Sequence, residues 1–521
     1  MVLQARDPRS AFPQARRHAL ARRPDDPARG RYLLLQCMPP HNGLEPLIAL
    51  VQAELQSRYA ACTVDTAMRR DFMIDDAGER QGFVGRYDGI ILFAGPAATS
   101  VHVTWKYGSA LEQAGVAVAV SVPRSLAGVA EHEIAMRGAR LRHAFAAVSP
   151  EPMYAQDLVD ALLVTPSAQE QAESDYIPFT PSHYAASGTA RDVVQCFEAQ
   201  DMTDGLPIEI PTDEAVEAML AGTHRPASDI VCPTVRPEGL PVTVEQVAIN
   251  AVMAGAGPEH LPVILAAVAL LGAIEMESMT RSVNSFAFTH LINGPLAKQL
   301  GIACGANALG RGNKANAVIG RAIGLVLRNG GWQRVGSSAS PCQGSAAGIT
   351  VVAENEAGSP WSPFHTTLGF EPADNVLSLF VGGFAIVGNY YYQGLVDVGR
   401  QMLEFENKMG SLLLLSAKRA GELARRGQSR EAVIDTLHQH AAAPLGDIRK
   451  GGFYPLMKAL IERDREEKTW PKAYLTLPDE AVVPLYPATG IKIAVVGDDI
   501  ASVMQVWNSQ LLANSSIDDW V

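Results

Sequence analysis

The densest group of chemically capable residues is Ala353-Glu354-Asn355-Glu356-Ala357-Gly358-Ser359-Pro360-Trp361-Ser362-Pro363-Phe364-His365. Glu354, Glu356 and His365 are the expected catalytic group, because carboxylates of unequal burial divide general acid and general base roles. On a strand, Glu354 and Glu356 would share one face. E-x-E followed by a distant histidine is not a specific metal spacing, so no metal is assigned. The plain alternative is a turn whose carboxylates cap a helix. Cys304 and Cys342, both in glycine-rich loops, are the candidate nucleophiles. Cys37, in Gln36-Cys37-Met38-Pro39-Pro40-His41, stands after the first strand-like run, with His41 near enough in sequence to activate it.

Gly310-Arg311-Gly312-Asn313-Lys314-Ala315 opens a helical pattern running over 313–328. A helix amino terminus flanked by Arg311 and Lys314 suits an anion. The next acidic residue after Lys314 is Glu354, too far for the ribose-binding acid of a dinucleotide fingerprint, so no nicotinamide site is expected and the cofactor is left open. Asn293, Arg311, Asn313, Lys314, Asn316 and Arg321 are the expected substrate-binding residues. Thr99 and Ser100 join them from the loop Phe93-Ala94-Gly95-Pro96-Ala97-Ala98-Thr99-Ser100. Tyr390-Tyr391-Tyr392 reads as a core or interface cluster, or as a stacking wall.

The elements that carry these residues are legible as patterns. Tyr32–Leu35, Ile90–Leu92 and Val116–Val120 are short apolar runs separated by helical spacings at Leu44–Tyr59 and Val101–Ala114. Such alternation predicts a parallel sheet covered on both faces. The expected class is α/β: an amino-terminal doubly wound parallel-sheet domain, then a larger mixed α/β domain. The expected division is a disordered basic arm over 1–30, the first domain over 31–165, a linker over 166–200 and the larger domain, with the site, over 201–521. The arm follows from eight arginines and three aspartates among the first 31 residues. Thr243-Val244-Glu245-Gln246 predicts a capping box. Helices are expected from Pro258 to about Met279, over Gly410–Arg426 and Ser429–Ala441, and from Asp499 through Trp507. Gly330-Gly331 is expected to stop its helix with a left-handed residue.

Composition limits the function. With 521 residues and 47% apolar content the chain has material for large cores. A formal charge of -12 argues against nucleic-acid binding, which needs a basic face. The longest apolar run, Leu261–Ile274, is too short to span a bilayer and predicts a buried helix. Six cysteines without a CxxC pair fit a reducing cytoplasm. The expected partners are a small-molecule substrate and a second copy or a paralogous subunit, with neither nucleic acid nor membrane.

These blocks together resemble the UGSC family of bacterial (seleno)proteins, in a two-domain form. In the first domain the likeness rests on the strand ending at Gly95, the loop through Ser100, and the helix ending Ala110-Leu111-Glu112-Gln113-Ala114-Gly115. That loop is also similar to one in the selenoprotein B subunit of glycine reductase. The second-domain likeness spans about 202–375. It includes Thr203-Asp204-Gly205-Leu206-Pro207, Ala248–Gly255, Leu261-Pro262-Val263, Asn293-Gly294-Pro295, Gly310–Asn316, Ile319-Gly320-Arg321-Ala322 and Glu354–Phe364. The family's loop reads selenocysteine or cysteine, Gly, Ser, Cys, and implies thiol redox. Here those positions are Ala97, Ala98, Thr99 and Ser100, and Ala256 replaces a companion cysteine. The resemblance thus implies a small-molecule enzyme of specialised metabolism with its thiols replaced. A non-redox lyase, hydratase or condensing reaction on a carboxylated or carbonyl substrate in the interdomain cleft is expected. The alternatives are a silent partner subunit of a thiol-bearing UGSC protein, and a thiol-dependent oxidoreductase using Cys304 or Cys342.

Overall fold

All but one of the arginines of the first thirty residues find a carboxylate, and Arg17 lies over the Tyr176 ring, which lays the segment along the protein instead of leaving it as a disordered arm. Arg6 pairs with Asp213 and Glu245, Arg9 with Asp7, Arg16 with Glu173, and Arg23 with Glu112. Leu3–Arg6 adds antiparallel to Tyr184–Gly188, and Ala15–Arg17 to Ser174–Tyr176. The stretch read as a linker therefore supplies strands for the amino terminus, together with the helix Ala190–Ala199. Phe12 packs edge-on against Trp332 at 5.1 Å, so this strap reaches the second unit.

The computed structural model describes residues 2–37, 43–69, 77–147, 151–274, 278–281, 286–339, 348–382, 386–389, 394–401, 410–451, 454–463, 470–485, 487–499, 503–507 and 509–521. Cys342, His41 and Tyr390–Tyr392 lie outside the described residues.

The first unit is the expected doubly wound domain. Strands β1 (Arg31–Gln36), β2 (Thr63–Met68), β3 (Gly89–Phe93), β4 (Ala117–Pro123) and β5 (Arg142–Ala146) form one parallel sheet in the order β2-β1-β3-β4-β5. Alternation within single strands covers both faces. Leu33 and Leu35 face one core with Trp105 and Leu111, while Tyr32 and Leu34 face the other with Val51, Leu55 and Leu158. The order reverses between β1 and β3, the crevice where open α/β sheets bind ligands.

The second unit holds two four-stranded sheets with the same strand order and directions. β6 (Ala287–Asn293) is followed by helices Pro295–Gln299 and Lys314–Asn329, then by β7 (Ile349–Ala353), β8 (Val376–Gly382) and β9 (Ile386–Asn389). β10 (Ser411–Leu415) is followed by helices Ala417–Arg425 and Arg430–His440, by an insertion with helices Leu445–Lys450 and Tyr454–Arg463 between the paired strands Ala442–Pro444 and Val482–Pro484, then by β11 (Ile491–Val495), β12 (Val503–Trp507) and β13 (Gln510–Ser516). The sheets run β7-β6-β8-β13 and β11-β10-β12-β9. In each, the first two strands are parallel and the remaining pairs antiparallel. The fourth strand of each set completes the other sheet. Leu291, Val352, Phe364 and Phe380 share one core with Leu412, Leu414 and Ala494.

Several local expectations change. Ser411–Leu415 is a strand, not the start of a helix, because its consecutive leucines are buried on both faces. Val503–Trp507 is likewise a strand. The apolar helix spans Leu261–Leu270, with a 3-10 turn to Ala273, and is buried as expected. Gly330 is right-handed at the end of its helix, and the positive φ falls on Trp332. Gly331 is needed for close approach, since a Cβ there would lie 2.3 Å from the Arg236 carbonyl oxygen. The Thr243–Gln246 capping box forms and opens the helix Val244–Ala254.

Candidate functional site

Asn293 ends β6, and the chain after it turns at Gly294, with φ 96°. A Cβ at Gly294 would lie 2.3 Å from the Asp374 carbonyl oxygen, so both conformation and space require glycine. β7 ends at Ala353, and Glu354 N–H donates back to the Ile292 carbonyl at 3.0 Å. Asn355 then caps a 3-10 turn over Glu356–Gly358, accepting from Gly358 N–H at 3.1 Å. The two glutamates are thus not strand neighbours on one face. They converge because Asn293 Nδ2 donates to Glu354 Oε2 at 2.6 Å and to Glu356 Oε1 at 2.9 Å. Gly294 N–H adds a bond to Glu356 Oε1 at 2.8 Å.

Their roles differ. Glu354 is buried and accepts from Phe364 N–H at 2.5 Å and Val495 N–H at 3.1 Å, with Arg430 at 3.5 Å. It ties β7 to β11 and to the turn before His365. Burial pushes its carboxyl up, against the pull of Phe364, Asn293, Val495 and Arg430. It is a clamp between the sheets. Glu356 keeps 27% side-chain exposure and is the member that a substrate can reach.

His365 is fully buried in the turn Phe364–Leu368. Its Nε2 lies 2.9 Å from the Glu371 carbonyl oxygen and donates its proton there. That Nδ1 stands 4.0 Å from Glu356 Oε1 and has no hydrogen-bond partner among the described residues. Asn293 Oδ1 is buried and equally unpartnered. Flipping the Asn293 amide would set its oxygen against two carboxylates, so its orientation is determined by chemistry.

Cys304 is half-buried beside this group, its carbonyl accepting from Gly497 N–H at 2.8 Å. Burial, then the carboxylates of Asp498 and Glu356, push its thiol up, the opposite of an activated nucleophile. Cys37 is buried at the end of β1 and pushed up to about 11 by desolvation.

The remaining expected residues divide between structural duties and exposed positions. Asn313 donates to the carbonyls of Asn307 and Gly310 and closes its loop. Asn316 bonds the backbone of Ala303 and Val351. Arg321 holds Asp204 at 2.8 Å and the carbonyls of Leu206 and Pro207, anchoring that segment rather than a ligand. Arg311 and Lys314 are exposed at the start of the helix Lys314–Asn329. Ser100 accepts from Gly95 N–H at 2.7 Å, and Thr99 Oγ1 is buried without a partner among the described residues. No hydrogen bond or ion pair among the described residues joins Thr99 or Ser100 to the Glu356 group.

A second polar centre was not legible in the sequence. His102, on the helix that Thr99 and Ser100 open, lies 2.8 Å from Glu133, which pairs with Arg137 at 3.1 Å. Glu238 of the second unit takes Arg281 at 2.7 Å, Arg137 at 2.7 Å and His132 at 3.1 Å. Burial opposes the charge of both glutamates. His102, Arg137 and Arg281 around Glu133, and Arg281, His132 and Arg137 around Glu238, outweigh it and hold both below the usual carboxylate range. Histidines and arginines on helices of ordinary composition give no local signal of such convergence.

Among the described residues no group of three or more His, Cys, Asp or Glu is arranged to hold a metal ion. No described helix is long and apolar enough to cross a membrane. No protein-family model, curated protein or solved structure matches this chain.

Proposed function

We propose that the protein is a small-molecule enzyme of specialised metabolism that transfers a proton on a carbonyl or carboxylated substrate, in a non-redox lyase, hydratase or condensing reaction. Glu356 is the base that meets the substrate, and His365 is the positioning group behind it. The observation that carries this reading is the pairing of a partly exposed, oriented carboxylate with the Nδ1 of a fully buried imidazole at 4.0 Å. Asn293 Nδ2 and Gly294 N–H hold one oxygen of Glu356 and leave the other for the substrate. The proton taken from the substrate is held at that free oxygen, while the oxygen bonded by Asn293 and Gly294 is the one that faces His365 Nδ1.

The likeness to UGSC proteins supports the same reading, because the positions of the family's thiols carry Ala97, Ala98, Thr99 and Ser100. The raised thiol of Cys304 counts against the thiol-redox alternative. The site lies where β6, β7 and β11 end, within the second unit, and the expected interdomain location is not needed for it.

The test is incubation of the protein in deuterium oxide with a panel of 2-oxo, 3-oxo and 3-hydroxy acids, read by proton NMR. The expected result is solvent deuterium at the carbon next to the carbonyl or carboxylate. Glu356→Gln should lower incorporation by about 100-fold or more, the usual range for a general base. Incorporation that survives both Glu356→Gln and His365→Ala at the native rate removes the proposal.

A further inference from the structure

The repeated construction of the two sheets sets residues of one copy against those of the other. The last registered pairs of the two parallel ladders are Ile292↔Ala353 and Leu415↔Val495. In each copy the next residue turns its N–H back onto the central strand, Glu354 to Ile292 at 3.0 Å and Val496 to Leu415 at 2.8 Å. Two residues further stand Glu356 and Asp498. They are counterparts, each the carboxylate that follows its copy's edge strand.

The two copies meet here directly. Asn355 N–H donates to the Val495 carbonyl at 2.7 Å, and Asn355 Nδ2 to the Gly497 carbonyl at 2.9 Å. The segment Ala303–Cys304 runs between the strand ends, with Ala303 O accepting from Ala353 N–H at 3.2 Å and Cys304 O from Gly497 N–H. The Asp498 carboxylate overlies Gly305, whose added Cβ would stand 3.3 Å from Asp498 Oδ2. Asp498 is exposed, and among the described residues neither it nor Glu356 has a Lys or Arg partner.

The group is rich in acceptors and poor in donors. Glu356 and Asp498 bring negative charge, while among the described residues the buried Asn293 Oδ1 is an acceptor without a donor and the buried His365 Nδ1 has no hydrogen-bond partner. A ligand that satisfies them brings N–H groups and positive charge. We propose that Glu356 and Asp498 form a two-carboxylate subsite beside Cys304 that receives a protonated amino or amidino group of the ligand. This rests on Glu356 belonging to the site proposed above and adds Asp498 as its second, specificity-determining carboxylate.

Cys304 is the reporter. Its alkylation by neutral iodoacetamide at pH 8, followed by mass spectrometry of the peptide, is measured with and without agmatine at constant ionic strength. Agmatine should slow the wild-type reaction about three- to tenfold and leave the Asp498→Asn rate within about a factor of two, as expected for removing one charge at close range. Asp498→Asn should also raise the ratio of iodoacetate to iodoacetamide reactivity, because the anionic reagent then meets one fewer carboxylate. Absence of agmatine protection in the wild type, or equal protection in Asp498→Asn, overturns the subsite. Protection that persists while deuterium incorporation survives Glu356→Gln leaves the subsite standing and removes the acid–base reading alone.

Discussion

Glu238→Gln is the substitution that most directly tests how the two units are held together. Glu238 sits in the second unit, yet two of its partners, His132 and Arg137, belong to the first. Its third partner, Arg281, is fully buried. The amide keeps the volume and one acceptor oxygen but removes the charge and turns an N–H₂ toward a guanidinium. Breaking a buried ion pair costs about 3–5 kcal/mol because the other charge is left uncompensated. Arg281 retains Glu133 at 3.9 Å and the carbonyls of Pro237 and Ser338, which puts the expected loss near the lower end, about 3 kcal/mol. The assay is calorimetric and urea unfolding across pH 3–8, comparing the variant with Lys450→Ala, which breaks an exposed pair with Asp447 and should shift nothing measurable. The pH dependence has a definite sign. The folded carboxyls of Glu133 and Glu238 lie below their unfolded values, so their stabilisation is present above about pH 4.3 and is lost as pH falls through the folded values. The wild type should weaken steeply only in that acid range, and Glu238→Gln should flatten the slope. A variant that unfolds at the wild-type midpoint with an unchanged acid limb refutes the bridging role.

Two other outcomes follow from the same contacts. Glu354→Gln should destabilise the second unit by about 3 kcal/mol, since an amide cannot accept from Phe364, Asn293 and Val495 at once, and circular dichroism melts should show the loss whether or not substrate is present. Cys37, pushed up to about 11, should be about one-thousandth thiolate at pH 8, so iodoacetamide mapping should label Cys62 and Cys196 first and reach Cys37 only on unfolding.

The parallel sheet was legible because its signal is local. Tyr32–Leu35 and Ile90–Leu92 are apolar at every position, which is what burial on both faces demands. The same rule was missed at Ser411–Leu415, where consecutive leucines before a helical spacing read as the helix itself. The amino-terminal arm failed for a different reason. Arginine content measures repulsion only while partners are unknown, and Asp213, Glu245, Glu173 and Glu112 lie far along the chain.

The site shows where local reading stops. Glu354 and Glu356 were found together by proximity in sequence, yet their separate duties depend on residues elsewhere. Asn293, 63 positions before Glu356, fixes one oxygen of that glutamate. Val495, 141 positions after Glu354, draws the other into the seam between the sheets. Asp498 carried a signal that pattern reading can recover, an apolar run followed at once by acids, the same motif as Ile349–Val352 with Glu354 and Glu356. No residue-by-residue likeness links the two segments, because the copies share connectivity and register rather than side chains. What they preserve is a position at which a parallel edge strand ends and a carboxylate follows. Such a position is defined by the backbone, so it survives when the surrounding sequence does not, and it is there that the proposed subsite of Glu356 and Asp498 lies.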